Sequence, residues 1–149
     1  MSLAEQKAVD VAKEMPEGTV TLGSDTVVAA DGKILGKPKS HEEAYEMIRC
    51  LAGRSHQVYT GVCIVKKGPE GEADTVVSFY DETDVNVSPM TEKEIREYAD
   101  SEEPMDKAGS YAVQGFFARY IDGLKGSYAN VMGLPVHLVY QELKKLGAL

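Results

Sequence analysis

The segments SHQVYTGVCIV (55–65), KKGPEGEA (66–73) and TVVSFYDETDVNV (75–87) decide the fold. Two long runs of strand character flank a polar loop containing Gly and Pro, which predicts one long β-hairpin and not a domain boundary. In the second run Val77, Phe79, Val85 and Val87 share one face, while Ser78, Glu82, Asp84 and Asn86 share the other. Helical patterns lie on both sides of this hairpin. Upstream, Ser40 and Glu43 form a capping box before Ala44, Met47, Ile48 and Leu51 at helical spacing, with Gly53 as terminator. Downstream, Thr91 and Glu94 repeat the signature and turn Ile95, Tyr98 and Ala99 inward. A hairpin set among alternating strands and helices favours a mixed sheet over a purely parallel one.

Further out the pattern is less regular. Residues 19–22 and 26–30 are predicted as two short strands broken by Gly23-Ser24-Asp25, and Asp31-Gly32 predicts a tight hairpin turn. The first residues read as a helix with Leu3, Ala4, Ala8, Val11 and Ala12 inward, stopped by Pro16 and Gly18. Residues 116–121 are a strand candidate. Pro135 suits the first turn of a final helix whose inner face is Val136, Val139, Tyr140 and Leu143. The expectation is a single α/β domain over residues 1–149, a mixed β-sheet flanked by helices.

The 149 residues suffice for one buried core, and 43% hydrophobic with 27% charged is a globular balance. The net charge of −8 disfavours a nucleic-acid partner, since phosphate backbones demand a basic face. No apolar run reaches the ~20 residues that span a bilayer, so no membrane partner is expected. The charged N-terminus lacks the apolar core of a secretory signal, and the two cysteines share no metal spacing. A reduced, cytoplasmic protein is the expectation. His41, His56 and His137 have no ligand spacing and receive no catalytic role.

Four polar clusters could carry chemistry. In Gly23-Ser24-Asp25-Thr26 a carboxylate can hold a cation or serve as general base, although the same residues are common turn formers. Gly32-Lys33-Ile34-Leu35-Gly36-Lys37-Pro38 falls one residue short of a P-loop and puts Pro where the hydroxyl belongs. Lys37 remains as a single phosphate contact or a solvated lysine. Residues 103–115, with Gln114, pack donors and acceptors between glycines, as reading the edge of a small ligand requires. In residues 123–131 the Gly-Ser pairs suit close backbone approach, but a plain loop into the last helix is the favoured reading.

Seven blocks carry a resemblance to a known family. They are Gly-Ser-Asp-Thr-Val-Val at 23–28, Leu-Gly-Lys-Pro at 35–38, Leu-Ala-Gly-Arg-Ser-His-Gln-Val-Tyr-Thr-Gly-Val at 51–62, Glu-Pro-Met-Asp-Lys-Ala-Gly-Ser-Tyr at 103–111, Gln-Gly at 114–115, Gly-Ser-Tyr at 126–128 and Val-Met-Gly-Leu-Pro at 131–135. In this order they resemble the Maf family of nucleoside triphosphate pyrophosphatases, also described as septum-formation inhibitors. The resemblance implies an α/β fold similar to the inosine triphosphatases, with substrate in a cleft. It implies hydrolysis of a nucleoside triphosphate to monophosphate and pyrophosphate with Mg²⁺ or Mn²⁺. By its motifs Asp25 would accept the proton of the attacking water, and Lys7 and Lys37 would face the phosphates. Thr26 and Gln114 would separate subgroups, here resembling members that act on dTTP and UTP. A homodimer is expected by the same resemblance.

The family pattern also has an opening strand and a Ser-x-Ser-x-Arg-Arg loop ahead of the first helix, and neither occurs here. Met1 then falls at an internal position of the family pattern, with the opening β-α unit missing. Charge-assisted bonds from two arginines are worth about 1.5–3 kcal/mol each, so reduced turnover is expected. The alternative expectation is a nucleotide-binding or regulatory fragment that is catalytically impaired.

Overall fold

The predicted hairpin forms over its full length. In a computed structural model that describes residues 3–149, β3 (Ser55–Lys66) and β4 (Thr75–Val87), as numbered in chain order, pair antiparallel from Ser55↔Asn86 to Lys66↔Thr75. β1 (Val20–Ala30) and β2 (Lys33–Leu35) lie on one side of them and β5 (Ile121–Lys125) on the other, giving the order β2-β1-β3-β4-β5. The helices are α1 (Leu3–Ala12), α2 (His41–Leu51), α3 (Glu92–Ala99), α4 (Tyr128–Met132) and α5 (Val136–Lys145). Helices flank a sheet, as the α/β class requires. Among the described residues all four pairings are antiparallel, so the parallel neighbours that a mixed sheet includes are not among them.

β3 runs through the middle and is buried on both faces at Val62, Cys63, Ile64 and Val65. On one face, Ala4, Ala8 and Ala12 of α1 pack against Cys63 and Val65. An all-alanine stripe lets the helix backbone approach the sheet. A Cβ on Gly23 would lie 2.5 Å from the Ala4 carbonyl oxygen and 3.0 Å from the Ala8 nitrogen. This explains two departures from the sequence reading. β1 is one unbroken strand, in register with β3 from Val20↔Lys66 to Ala29↔Gln57, because Gly23 accommodates a helix and does not break the strand. Leu3 and Val11 stand 51% and 48% exposed, because side chains of that size have no room in so close a contact.

The opposite face carries two apolar clusters. The larger joins Val28, Val58, Val85 and Val87 to Ile48 and Leu51 of α2, Ile95 and Tyr98 of α3, and Tyr111 and Phe117. The smaller joins Val62 and Ile64 to Val139 of α5. Val136 and Tyr140, expected inward, are 56% and 51% exposed, because α5 meets the sheet along the narrow line of Val139, Leu143 and Leu146.

Residues 116–120 are a 3-10 helix and not a strand, since the Glu103 carboxylate accepts hydrogen bonds from the Phe116 and Phe117 backbone N–H groups at 2.8 and 3.3 Å. A carboxylate at that end satisfies donors a helical turn leaves open. The Thr91–Glu94 box closes in both directions, whereas at α2 only Ser40 accepts from the Glu43 N–H. Asp31 (φ 52°) and Gly32 (φ 74°) make the expected hairpin turn, whose two central residues both need positive φ. No helix among the described residues is long and apolar enough to cross a membrane.

Candidate functional site

Beside the larger of the two apolar clusters lies a cavity of about 210 Å³. Its floor is Thr26 and Val28 of β1 with Val58 of β3. One wall is the segment 111–114, ending in Gln114, and the other is 131–133. Close backbone contacts hold these walls. A Cβ on Gly109 (φ 71°) would lie 2.8 Å from the Val28 side chain, and its N–H donates to the Gly36 carbonyl at 3.1 Å. Two residues far apart in sequence, Thr26 and Gln114, therefore line one space.

Below the cavity runs a buried polar seam. The Thr26 and Thr60 hydroxyls are 2.8 Å apart, and Thr60 donates to the Asn130 backbone carbonyl at 2.9 Å. Asn130 is fully buried, and its side-chain amide donates to the Val58 carbonyl and the Thr83 hydroxyl at 3.2 and 2.9 Å. Ser127 caps the short α4 by accepting from the Asn130 N–H. Residues 123–131, read from sequence as a plain loop, thus include the side chain that ties α4 to the sheet. Buried amides and hydroxyls are costly unless paired, so these bonds fix the wall that the seam supports, while the Asn130 Oδ1 is buried without a hydrogen-bond partner.

Next to it, Nε2 of the buried His56 lies 2.7 Å from the Tyr111 hydroxyl. Burial, helped by the Arg54 charge and opposed by Asp84, lowers the His56 pKa from 6.5 to about 4. The imidazole is accordingly neutral. Burial likewise raises the Tyr111 hydroxyl, which stays protonated.

Asp25 lies on the other face of β1, since successive strand side chains alternate. There the Lys7 ammonium stands 3.7 Å from its carboxylate and also donates to the Ser24 carbonyl at 3.5 Å. The two groups are 51% and 35% exposed, and such ion pairs are worth about 0–1 kcal/mol. Lys7 can therefore leave Asp25 for a stronger anion. The strand edge between the faces is open: β2 pairs only with Val28, Ala29 and Ala30. Before Val28, among the described residues, β1 has β3 as its single strand neighbour.

Lys37 is exposed beside Gly36, in the segment stitched to the cavity wall. The Lys107 ammonium, 2.6 Å from Asp106, holds the Asp106 carboxyl below its usual range, and Lys37 adds to the effect. Lys37 thus acts on Asp106, which lines the cavity together with Lys107. Among the described residues no three His, Cys, Asp or Glu side chains converge as a cation cage.

Sequence reasoning picked out Thr26, Gln114, Lys7, Lys37 and Asp25 but did not single out His56, Thr60, Asn130 and Tyr111 as parts of this site. One signal was available. His56 and Thr60 alternate with Val58 and Val62 on a strand face, and a polar residue there must find a buried partner.

Residues 1–146 match the family described as Maf-like protein. The chain is 47% identical over 147 residues to a dTTP/UTP pyrophosphatase of Lachnoclostridium phytofermentans, covering 99% of this chain and 74% of that protein. A dTTP/UTP pyrophosphatase of Carboxydothermus hydrogenoformans is 46% identical over 147 residues, 99% of this chain and 76% of its own. One from Clostridium perfringens is 43% identical over 142 residues, 95% and 72% of the two chains.

Proposed function

The chain belongs to the Maf family, and from that premise we propose that it hydrolyses dTTP and UTP to the monophosphate and pyrophosphate. The observation that carries this reading is the joint lining of one cavity by Thr26 and Gln114, with a carboxylate–lysine pair across an open strand edge. A pyrimidine ring in the cavity can be read by Gln114, whose amide both donates and accepts. The phosphates then cross the edge of β1 towards Lys7 and Asp25, while Lys37 meets them from the side of Asp106.

Asp25 accepts a proton from water as the water oxygen bonds to the α-phosphorus. The bond from that phosphorus to the bridging oxygen breaks, and pyrophosphate leaves with the electron pair. Lys7, released from its weak pair, offsets charge on the departing group. Bound Mg²⁺ or Mn²⁺ would supply further neutralisation of the triphosphate. The donor set suits this, because Mg²⁺ commonly takes one or two carboxylates and completes its shell with phosphates and water. Asp25 is the carboxylate that would hold it.

The proposal extends to a cytoplasmic homodimer. Tyr128, Met132, Val136 and Tyr140 are 48–56% exposed on α4 and α5 and offer an apolar surface for a second copy, which light scattering would detect. The direct test is pyrophosphate release from a panel of nucleoside triphosphates with Mg²⁺ or Mn²⁺. Release from dTTP and UTP that disappears in Asp25→Asn supports the reading. Nucleotide binding without release would favour a catalytically impaired nucleotide-binding protein, and release confined to purine nucleotides would overturn the substrate assignment.

A further inference from the structure

We propose, resting on the pyrimidine reading above, that Thr60 is a positioning residue which makes Thr26 a hydrogen-bond acceptor towards the cavity and thereby selects bases with a ring N–H. The direction of the relay follows from counting protons. A backbone carbonyl can only accept, so the single hydroxyl proton of Thr60 goes to the Asn130 oxygen 2.9 Å away. The Thr26 and Thr60 hydroxyls are 2.8 Å apart, and one of them must donate to the other. With the Thr60 proton committed, the donor is Thr26. Its proton points into the protein, and its remaining lone pair faces the cavity that it lines.

The far end of the relay is enclosed and held in place. Thr60 is fully buried, so no solvent replaces its partners. The Asn130 carbonyl is anchored because the Asn130 side chain is bonded to Val58 and Thr83 and its backbone N–H to Ser127. A threonine free to rotate would donate to the bare N3 of cytosine as readily as it accepts from the N3–H of uracil or thymine. One whose proton is spent accepts only. The preference therefore belongs to the relay and not to the residue type at position 26. Gln114, on the facing wall, can donate to a carbonyl beside that N–H.

Calorimetric binding of UMP and CMP, which needs no turnover, tests this. The parent chain is expected to prefer UMP. Thr60→Val and Thr60→Ala remove the relay hydroxyl and should cut the UMP:CMP preference about tenfold, the size of one lost hydrogen bond. Thr60→Ser restores the hydroxyl and should restore the preference, an outcome that a purely structural role of the methyl group would not give. Melting curves establish that each variant is folded. A second probe touches no residue: UMP methylated at N3 lacks the N–H and should bind the parent at least about tenfold more weakly than UMP. An unchanged preference in folded Thr60→Val or Thr60→Ala, or equal binding of the methylated nucleotide, overturns the proposal while leaving the enzyme reading intact. Equal binding of UMP and CMP by the parent overturns the assignment to uracil and thymine nucleotides, and the relay's role with it.

Discussion

The Lys7 ammonium on α1 stands 3.7 Å from the Asp25 carboxylate on β1, and the glycine two residues before Asp25 makes that approach possible. At Gly23 the backbones of helix and strand are so close that an added Cβ would fall 2.5 Å from the Ala4 oxygen. Gly23→Ala should push α1 outward and cost about 1–3 kcal/mol, measured by urea unfolding. Gly61→Ala, on the neighbouring strand with nothing within 4 Å of the added carbon, should change stability by about 0.5 kcal/mol or less. Equal effects at the two glycines would refute the close-packing account.

Asp25→Asn keeps the shape of the side chain and removes the base. Pyrophosphate release should fall about 10²- to 10⁴-fold, the usual contribution of a positioned general base, while UMP affinity in the cavity on the other face stays near the parent value. A parallel loss of UMP binding would place Asp25 in contact with the base and not the phosphates.

His56 makes stability depend on pH. The unfolded chain takes up the imidazole proton near pH 6.5, whereas the folded protein resists it down to about 4. Between these values the unfolded state binds more protons, so stability rises with pH there. The contribution is complete above pH 6.5 and is lost as pH falls towards 4, amounting to about 3 kcal/mol over that window. Urea unfolding at a series of pH values should show this acid limb in the parent and a flattened one in His56→Gln. The same limb in both would assign the effect to other groups.

Glu103 joins three donors: the Phe116 and Phe117 N–H groups and the Tyr98 hydroxyl. Phe117 packs on Tyr111 in a tilted ring contact with centroids 4.9 Å apart, so this carboxylate supports the cavity wall through the aromatic cluster. Glu103→Ala should destabilise the fold by about 2–3 kcal/mol, since hydrogen bonds to a charged group are among the stronger ones. It should also weaken UMP binding. Full stability in a thermal melt would show that the 3-10 turn needs no carboxylate.

The elements were legible in sequence where a local rule governs them. Asp31-Gly32, the Thr91–Glu94 box and the alternation through 75–87 each state their structure within a few residues. Misreadings came where a distant partner decided. Gly23 looked like a break until α1 lay against it, Phe116 looked like strand until Glu103 supplied its cap, and Val136 and Tyr140 looked internal until α5 met the sheet edge-on.

The sequence by itself determined the central hairpin, the helices α2, α3 and α5, the Asp31-Gly32 turn and the family blocks, because hydrophobic period, turn residues and caps act between near neighbours. Tertiary structure alone decided how the polar residues combine. It put Thr26 and Gln114 in one cavity, sent Asp25 to the opposite face, and set a backbone carbonyl of Asn130 at the end of a hydroxyl relay. These relationships depend on strand register and on which side chain is enclosed against which. Packing fixes both only when the whole chain has closed around its core.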